Sequence, residues 1–514
     1  MTHLTRKQFL SGAAALATPM RSRPSTQPAG RPKNVLFLLS DQHAPRALGV
    51  EGDAYARTPN LDALALSGIR FRQACCTNPV CTPARASLLT GLYTHNHRTL
   101  SNVTSWPFEI KTLAHHFGRA GYISALIGKM HFVDAQTHGF DYRLDFNDWF
   151  QYLGPKTKLY AEELAVPNSG SGLPQIDDLW RDQGDPWREA RERDNRQGPV
   201  HVGRPSKIAE ADHFENFLAR ETIRFLKRFG KQHPFFLISS HLKPHDPFMP
   251  SERFARQFPP AGVQLPKTWG KVDPARVPKE IRERIQLDRP TPELKDPAMA
   301  RMRIAMYYAN LAHLDDCLGQ VLRALRELDL ESDTVVVYSS DHGEMLGEHG
   351  LWNKFVFYEP SVGVPLLVRA PGITEPGTVQ NSPVSYVSLF PTLLELCGLP
   401  APTGLDGGSL IPLMREPSRP APGPVFAEYA LGTRNARYMI RDGDWKYCHY
   451  VNDAAELYNL RDDPQEMNNL ALEAAHRRRM EGMKQMLFSW HRPVEAGAGS
   501  SGQTRLGTGA TGSD

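Results

Sequence analysis

The sequence has few cysteines, no long apolar run and almost no charge imbalance. Six cysteines in 514 residues are too few and too scattered for a disulfide scaffold, and no Cys-x-x-Cys pair indicates a zinc site. The 60 basic and 56 acidic residues leave a net charge of only +4, so we predict no nucleic-acid partner. No segment approaches the roughly 20 apolar residues of a membrane span. Length and composition therefore predict a large globular protein.

The amino-terminal residues have the pattern of an export signal. Arg6 and Lys7 precede a short apolar run at residues 9–17, which ends in Ala-Leu-Ala before a Pro/Ser-rich stretch. This order of basic, apolar and small residues is typical of secretion signals. It is similar to a twin-arginine signal, except that Lys7 stands in place of the second arginine. We predict that residues 1–30 are an export signal and linker, giving a periplasmic or extracellular location; a disordered terminus on a cytoplasmic protein is the alternative.

Short apolar segments alternate with helical patterns along most of the chain. Residues 34–40, 122–127, 235–239 and 334–338 are apolar runs without alternation, which suits parallel strands buried on both faces. A long amphipathic pattern at residues 298–328 predicts a helix. The alternation predicts an α/β fold, with a large, mostly parallel or mixed sheet sandwiched by helices.

We predict a main domain at residues 31–414 and a smaller carboxyl-terminal unit at residues 415–493. Charged stretches broken by Gly and Pro, at residues 147–206 and 250–297, are predicted to be insertions that shape a pocket mouth. The Gly/Ser/Thr-rich residues 494–514 are predicted to be a disordered tail.

Polar residues follow four of the predicted strands. They are Asp41, then Lys129 with His131, then His241 with His245, and finally Asp341 with His342. Because ligands bind beyond the carboxyl ends of strands in α/β sheets, we expect these side chains to meet at one edge. Asp41 and Asp341 suit a hard divalent cation, although a lone aspartate more often satisfies a turn or a helix end.

Residues 81–91 read Cys-Thr-Pro-Ala-Arg-Ala-Ser-Leu-Leu-Thr-Gly. Thr82 can cap a helix, Pro83 fits its first position and Gly91 can close it. Cys81 then lies just before the helix, where free N–H groups and the macrodipole favour an anion. Arg85 lies about one turn further on and can reach the same anion. The alternative is a buried cysteine beside an ordinary helix.

The pattern Cys-x-Pro-x-Arg followed by Leu-Thr-Gly resembles the signature of type I sulfatases, in the alkaline-phosphatase-like superfamily. Other segments are similar to further motifs of that family: Gly-Lys-Met-His at 128–131, Lys-Pro-His at 243–245, Ser-Asp-His-Gly-Glu-Met-Leu-Gly-Glu-His-Gly at 340–350 and Leu-Trp-Asn-Lys at 351–354. The resemblance implies an enzyme, a sulfuric ester hydrolase. Residues 442–464 resemble the family's small α+β terminal subdomain, in which an antiparallel sheet packs against the main domain.

The resemblance also implies one divalent cation, held by Asp41, Gln42, Cys81, Asp341 and His342. Gln42 stands where many members have a second aspartate, and His342 replaces an asparagine. These variants resemble choline-sulfatase-like enzymes and phosphonate monoester hydrolases. Oxygen ligands suit Ca²⁺, whereas a ligating imidazole favours Mn²⁺ or similar ions; we predict Ca²⁺, with Mn²⁺ as the alternative.

The implied catalytic residues are Cys81, Arg85, Lys129, His131, His245 and Lys354. A formylglycine-generating maturation enzyme would oxidise Cys81 to formylglycine, whose hydrated aldehyde is the nucleophile. Lys129 and Lys354 would hold sulfate oxygens, and Arg85 would offset their charge. His131 would hydrogen-bond or deprotonate the diol, and His245 would supply the proton of the departing oxygen. The substrate would be a small-molecule or carbohydrate sulfate ester: an alkyl, aryl or sugar sulfate.

Three alternatives remain beside this hypothesis. A phosphonate monoester or phosphodiester hydrolase would use the same site, because sulfate and phosphate esters share tetrahedral geometry. In a non-catalytic binding protein of this fold, we would expect some of the site residues to have been replaced, yet all of them are present. A metal-dependent transferase would usually carry Thr or Ser as nucleophile, and membrane spans. We predict supporting or structural roles for His241, Glu344, Glu348 and His349.

Overall fold

The computed structural model describes residues 33–132, 136–164, 203–287 and 295–493. The predicted export signal, the predicted tail and parts of the 147–206 and 250–297 insertions lie outside the described residues. Among the helices that are described, none combines the length and the apolar character needed to cross a membrane.

The strands of the described residues are numbered in chain order. They are β1 (Asn34–Asp41), β2 (Ile69–Phe71), β3 (Ala74–Cys75), β4 (Ile123–Gly128), β5 (Tyr142–Leu144), β6 (Phe235–Pro244), β7 (Thr334–Ser340), β8 (Gly363–Val364), β9 (Leu366–Arg369), β10 (Thr378–Gln380), β11 (Val384–Ser385), β12 (Val425–Tyr429), β13 (Arg437–Asp442), β14 (Trp445–Tyr450) and β15 (Glu456–Asn459).

Helices connect and cover these strands. They span Pro59–Leu66, Cys81–Thr90 (the cysteine helix), Thr94–His97, Leu113–Arg119, Phe146–Leu153, Lys156–Leu159, Ala161–Leu164, Phe214–Phe229, Glu252–Ala255, Lys279–Leu287 (the insertion helix), Pro297–Glu327 (the long helix), Glu359–Val362, Leu389–Leu396, Ile411–Arg415 and Arg477–Trp490 (the terminal helix).

An eight-stranded sheet lies at the centre of the main domain, in the order β10-β2-β9-β7-β1-β6-β4-β5. Neighbouring strands from β7 to β5 run parallel, whereas β9 is antiparallel to both β2 and β7. Every residue of β1 is buried, as expected of a central strand covered on both faces. The predicted α/β fold is confirmed, with a mixed sheet.

Side chains that alternate along β1 pack into two apolar clusters. Leu36 and Leu38 belong to one cluster, which includes buried residues of the long helix. Val35 and Phe37 belong to the other, which includes buried residues of the cysteine helix. Because successive side chains of a strand point to opposite faces, one apolar run supplies both cores.

The cysteine helix begins two residues earlier than predicted, at Cys81 rather than at Pro83. Cys81 is its first residue and Val80 precedes it with an extended backbone, so the prediction that Thr82 caps the helix is wrong. The backbone N–H of Thr82 instead donates to Oδ1 of Asn102 at 3.1 Å, so a distant side chain satisfies this end of the helix. Gly91 closes the helix with φ 70°, as predicted.

Strand β6 is longer than the predicted 235–239 and continues to Pro244. The polar end of β6 still pairs with β1, because backbone hydrogen bonds do not require apolar side chains. The register of this pairing shifts near Asp41. His241 is buried there, and its Nδ1 lies 2.6 Å from a carboxylate oxygen of Glu215. This contact agrees with the structural role that we predicted for His241.

The carboxyl-terminal unit is an antiparallel sheet, β12-β13-β14-β15, packed on the terminal helix. Met483 and Leu487 of that helix are buried against strand residues such as Ile440. Lys446 of β14 is buried and lies 2.9 Å from a carboxylate oxygen of Glu359 in the main domain. The predicted small α+β subdomain is confirmed.

The packing of β1 gives a stability prediction. We expect Leu38→Ala to lower the free energy of unfolding by about 2–5 kcal/mol, because it leaves a cavity beside a fully buried strand. Urea unfolding measures the change. Leu66→Ala is the matched control: Leu66 is 61% exposed, so we expect a loss below about 0.5 kcal/mol. Equal losses in both variants would contradict this account of the core.

Candidate active site

The carboxyl ends of four strands meet at one edge of the central sheet. β1 and β7 pair in parallel, so Ser40 is level with Ser340. β4 and β6 pair likewise, so Gly128 is level with Ser240. Since β1 also pairs with β6, the residues that follow all four strands are neighbours. The expected convergence at one edge is therefore present.

Arg85 connects the cysteine helix to two aspartates. Its fully buried guanidinium donates from Nε to Oδ2 of Asp341 at 2.7 Å, and from Nη2 to Oδ2 of Asp41 at 2.9 Å. Nη1 donates to Oγ of Ser240 at 3.0 Å and to the carbonyl oxygen of Lys129 at 2.5 Å. Burial alone would lower the pKa of Arg85, but the two aspartates outweigh it and raise that pKa.

The two carboxylate oxygens of Asp41 have different neighbours. Its Oδ2 lies 2.6 Å from Nζ of Lys129, while Oδ1 lies 3.8 Å from both Sγ of Cys81 and Nε2 of His342. Burial alone would raise the pKa of Asp41, but Lys129 and other nearby cations hold it well below its usual value. One ligand atom from each of Asp41, Cys81, Asp341 and His342 lies within 4.8 Å of all the others, and all four residues are buried.

The imidazole of His342 is oriented by its own backbone. Nδ1 donates to the carbonyl oxygen of Gly343 at 2.9 Å, so Nε2 is the acceptor nitrogen and lies 3.2 Å from Sγ of Cys81. Burial lowers the pKa of His342 despite the nearby Asp341. A neutral imidazole held in this way, beside two carboxylates, fits a divalent cation.

The Gln42 side chain is held at both ends. Its Oε1 accepts a hydrogen bond from Nζ of Lys354 at 2.6 Å, and its Nε2 donates to Oε2 of Glu344. Glu344 is fully buried, and its Oε1 accepts from the backbone N–H groups of Leu346 at 3.0 Å and Asn353 at 2.7 Å. Glu344 therefore fixes both the Gln42 amide and the loop that precedes Lys354.

His245 and Lys354 form a hydrogen-bonded pair next to Asp41. Nδ1 of His245 donates to the carbonyl oxygen of Asp246 at 2.7 Å, so Nε2 accepts from Nζ of Lys354 at 2.8 Å. The same Nε2 lies 3.8 Å from Oδ1 of Asp41. Burial alone would lower the pKa of Lys354, but Cys81, Asp41 and Asp246 outweigh it and raise that pKa.

The imidazole of His131 is close enough to Lys129, Arg85 and Asp41 for their charges to act on it. The backbone of His131 has φ 65°, and its buried Nδ1 makes no hydrogen bond within the described parts of the chain. Burial, together with the cations Lys129 and Arg85, holds the pKa of His131 well below its usual value. The ring is therefore neutral, with a nitrogen that a ligand can engage.

Two family models match the chain. The model described as Sulfatase matches residues 33–399, and the model described as N-sulphoglucosamine sulphohydrolase, C-terminal, matches residues 347–492. The chain belongs to the sulfatase family. The predicted superfamily and the predicted enzyme class, a sulfuric ester hydrolase, are confirmed.

Individual relatives extend over most of this sulfatase. It is 32% identical to a choline-sulfatase of Rhizobium meliloti (strain 1021), over 86% of this chain and 83% of the relative. It is 27% identical to an arylsulfatase of Clostridium perfringens (strain 13 / Type A), over 88% of this chain and 93% of the relative. Among solved structures, it is similar to the phosphonate monoester hydrolase of Agrobacterium radiobacter, with 26% sequence identity and a TM-score of 0.70. The match covers 89% of this chain and 95% of the hydrolase chain.

The structure of this sulfatase brings all the predicted metal and catalytic residues into one region. Sequence reasoning missed Ser240, which donates to the carbonyl oxygen of Lys129 and accepts from Arg85. It also missed Asp246, whose carbonyl oxygen orients His245. Asp246 follows the motif histidine His245 and Ser240 precedes His241, and this adjacency was the available signal.

The role of Arg85 as a shared partner of two buried carboxylates can be tested by stability. We expect Arg85→Lys to lower the free energy of unfolding by about 3–5 kcal/mol, because one ammonium cannot replace both contacts and one buried carboxylate loses its hydrogen bond from residue 85. Urea unfolding in the presence of a chelator measures the change. For Arg415→Lys, at an exposed residue, we expect less than about 0.5 kcal/mol. A loss as small as the control's would contradict the pairing.

Proposed function

We propose that this sulfatase hydrolyses a sulfate monoester of an alcohol, a phenol or a sugar, with formylglycine at position 81 as nucleophile and one divalent cation. The observation that carries the proposal is the buried cluster of one thiol, two carboxylates and one imidazole. Arg85, Lys129 and Lys354 surround it with positive charge. Such a site suits the small, singly charged head group of a sulfate ester, whose charge is shared by three non-bridging oxygens.

The proposed cation ligands are Asp41, Gln42, Asp341, His342 and the modified residue 81. Carboxylate and amide oxygens suit Ca²⁺, and the imidazole keeps Mn²⁺ as the alternative. When bound, the cation supplies polarisation of the ester and a lower pKa for a hydroxyl nucleophile.

Modification of Cys81 solves a problem of product release. Thiolate attack on a sulfate ester would leave a sulfonate on sulfur with no easy exit. A hydrated aldehyde has two hydroxyls: one attacks the sulfur atom, and the other loses its proton as sulfate leaves and the aldehyde is restored. We therefore also propose a formylglycine-generating maturation enzyme as a partner.

Proton transfer is assigned to the two histidines. The unused Nδ1 of His131 is available to accept the proton of the second hydroxyl. Nε2 of His245 accepts a hydrogen bond from Nζ of Lys354, so His245 can take up that proton and supply it to the departing oxygen. Lys129 and Arg85 offset the charge of the non-bridging oxygens.

Peptide mass spectrometry across Cys81, on protein from the native host, tests the nucleophile. We expect a loss of roughly one sulfur and two hydrogens with a gain of one oxygen, the change from thiol to aldehyde. We also expect Cys81→Ala to lose turnover of para-nitrophenyl sulfate while keeping its unfolding transition. An unmodified thiol in active native protein would contradict the assignment, and unmodified, inactive protein would favour the binding-protein alternative.

A phosphonate monoester hydrolase is the second candidate, favoured by the 26% identical phosphonate monoester hydrolase structure. The two activities can be compared on esters of one phenol. We expect kcat/KM for para-nitrophenyl sulfate to exceed that for para-nitrophenyl phenylphosphonate. The reverse order would make phosphonate hydrolysis the main activity.

The contact between Glu344 and Gln42 gives a prediction for metal binding. We expect Glu344→Gln to weaken Ca²⁺ binding by about tenfold, because an amide at position 344 can both donate and accept and no longer fixes the Gln42 oxygen. Calorimetric titration of chelator-treated protein measures the affinity. Glu348→Gln is the control, since Glu348 lies in the same loop but contacts Thr268. Equal affinities of the two variants would contradict the prediction.

We also propose that residues 1–30 direct export to the periplasm or the extracellular medium. The basic, apolar and small-residue order at the amino terminus supports this proposal. Fractionation of host cells, followed by amino-terminal sequencing of the mature protein, tests it.

A further inference from the structure

A cleft of about 730 Å³ lies beside Lys354, outside the buried cluster. Its walls come from the insertion helix, from residues 350–355 and from loops of the terminal subdomain. The ring of Phe355 lines the cleft, and Nζ of Lys354 lies 5.5 Å from its centroid. The cleft is therefore one side chain away from the proposed catalytic lysine, and it is large enough for more than a small alcohol.

The acidic side chains of the cleft are engaged by the chain itself. Glu280 forms an ion pair with the buried Arg437. Asp453 accepts hydrogen bonds from the backbone N–H groups of Lys279 and Glu280, both at 3.1 Å. Glu283 lies 3.6 Å from Nζ of Lys279. A cationic ligand would have to compete with each of these contacts.

The aromatic rings of the cleft already have cations over them. The guanidinium carbon of Arg437 lies 4.3 Å from the ring centroid of Tyr429 and 5.9 Å from that of Tyr450. The corresponding carbon of Arg303 lies 5.3 Å from the ring centroid of Trp352. Quaternary ammonium groups bind to open aromatic faces. These guanidinium groups occupy such positions, and their charge disfavours another cation nearby.

Two arginines line the same cleft. Arg284 has its guanidinium carbon 5.2 Å from the ring centroid of Phe355 and donates to the carbonyl oxygen of Lys354 at 3.4 Å. Arg434 is exposed, in the loop between β12 and β13. Guanidinium groups form forked hydrogen bonds with carboxylate and sulfate oxygens.

We propose that this cleft binds the leaving group of the substrate, and that Arg284 and Arg434 recognise a second anionic group on it, a carboxylate or another sulfate. Leaving groups with a quaternary ammonium are disfavoured. The inference rests on the proposed sulfatase reaction and names the class of ester that it uses.

Three aryl sulfates whose one meta substituent is anionic, neutral or cationic test the inference: meta-carboxyphenyl, meta-tolyl and meta-(trimethylammonio)phenyl sulfate. Each variant is compared with the wild-type enzyme on the same ester, so the intrinsic reactivity of the leaving group cancels. We expect Arg284→Ala and Arg434→Ala to lose about tenfold more kcat/KM on the carboxyl ester than on the tolyl ester, chiefly through KM. We expect Arg434→Glu to shift preference toward the trimethylammonium ester.

Arg282→Ala is the matched control. Arg282 belongs to the same insertion helix, but its guanidinium donates to the carbonyl oxygen of Pro274 at 3.2 Å. Equal losses on the three esters, the same discrimination in the control, or an unchanged relative preference for the trimethylammonium ester in Arg434→Glu would each overturn the inference. If modified wild-type enzyme hydrolyses none of the three esters nor para-nitrophenyl sulfate, the proposed function fails instead.

Discussion

The site depends on one buried guanidinium. Asp41 and Asp341 are fully removed from water, which is costly for two carboxylates unless charge and hydrogen bonds compensate. The fork of Arg85 reaches both of them and also contacts Ser240 of β6 and the residue after β4. Because Arg85 is one turn from Cys81, the same side chain ties the proposed nucleophile to the four strand ends.

Much of the fold could be predicted because apolar runs specify buried strands. In a parallel sheet the ends of such strands lie level, so the positions of Asp41, Lys129 and Asp341 followed from the sequence alone. The polar end of β6 and the start of the cysteine helix could not be predicted. The first depends on pairing with β1, and the second on Asn102, which is remote in sequence from Thr82.

Sequence motifs predicted which residue types are present at the site, but they did not predict the hydrogen-bond partners of those residues. Nothing local to Gln42 reveals that Glu344 holds its amide, since the two are separated by 302 positions and meet only in the folded chain. The same applies to the pairing of His245 with Lys354. Motifs identify which groups are present, whereas tertiary hydrogen bonds decide which atom of each group faces the site and which proton it carries.

The composite wall of the cleft has a consequence for divergence. The insertion helix and the loops of the terminal subdomain approach the site from outside the central sheet, and none of their residues joins the buried cluster around Cys81. Substitutions, insertions or exchanges in these segments can therefore accumulate without disturbing the strand ends. With the cleft as the proposed leaving-group site, sulfatases that share this reaction centre would differ in substrate through these wall segments. Comparison of the wall segments should then separate such proteins by substrate better than overall identity does.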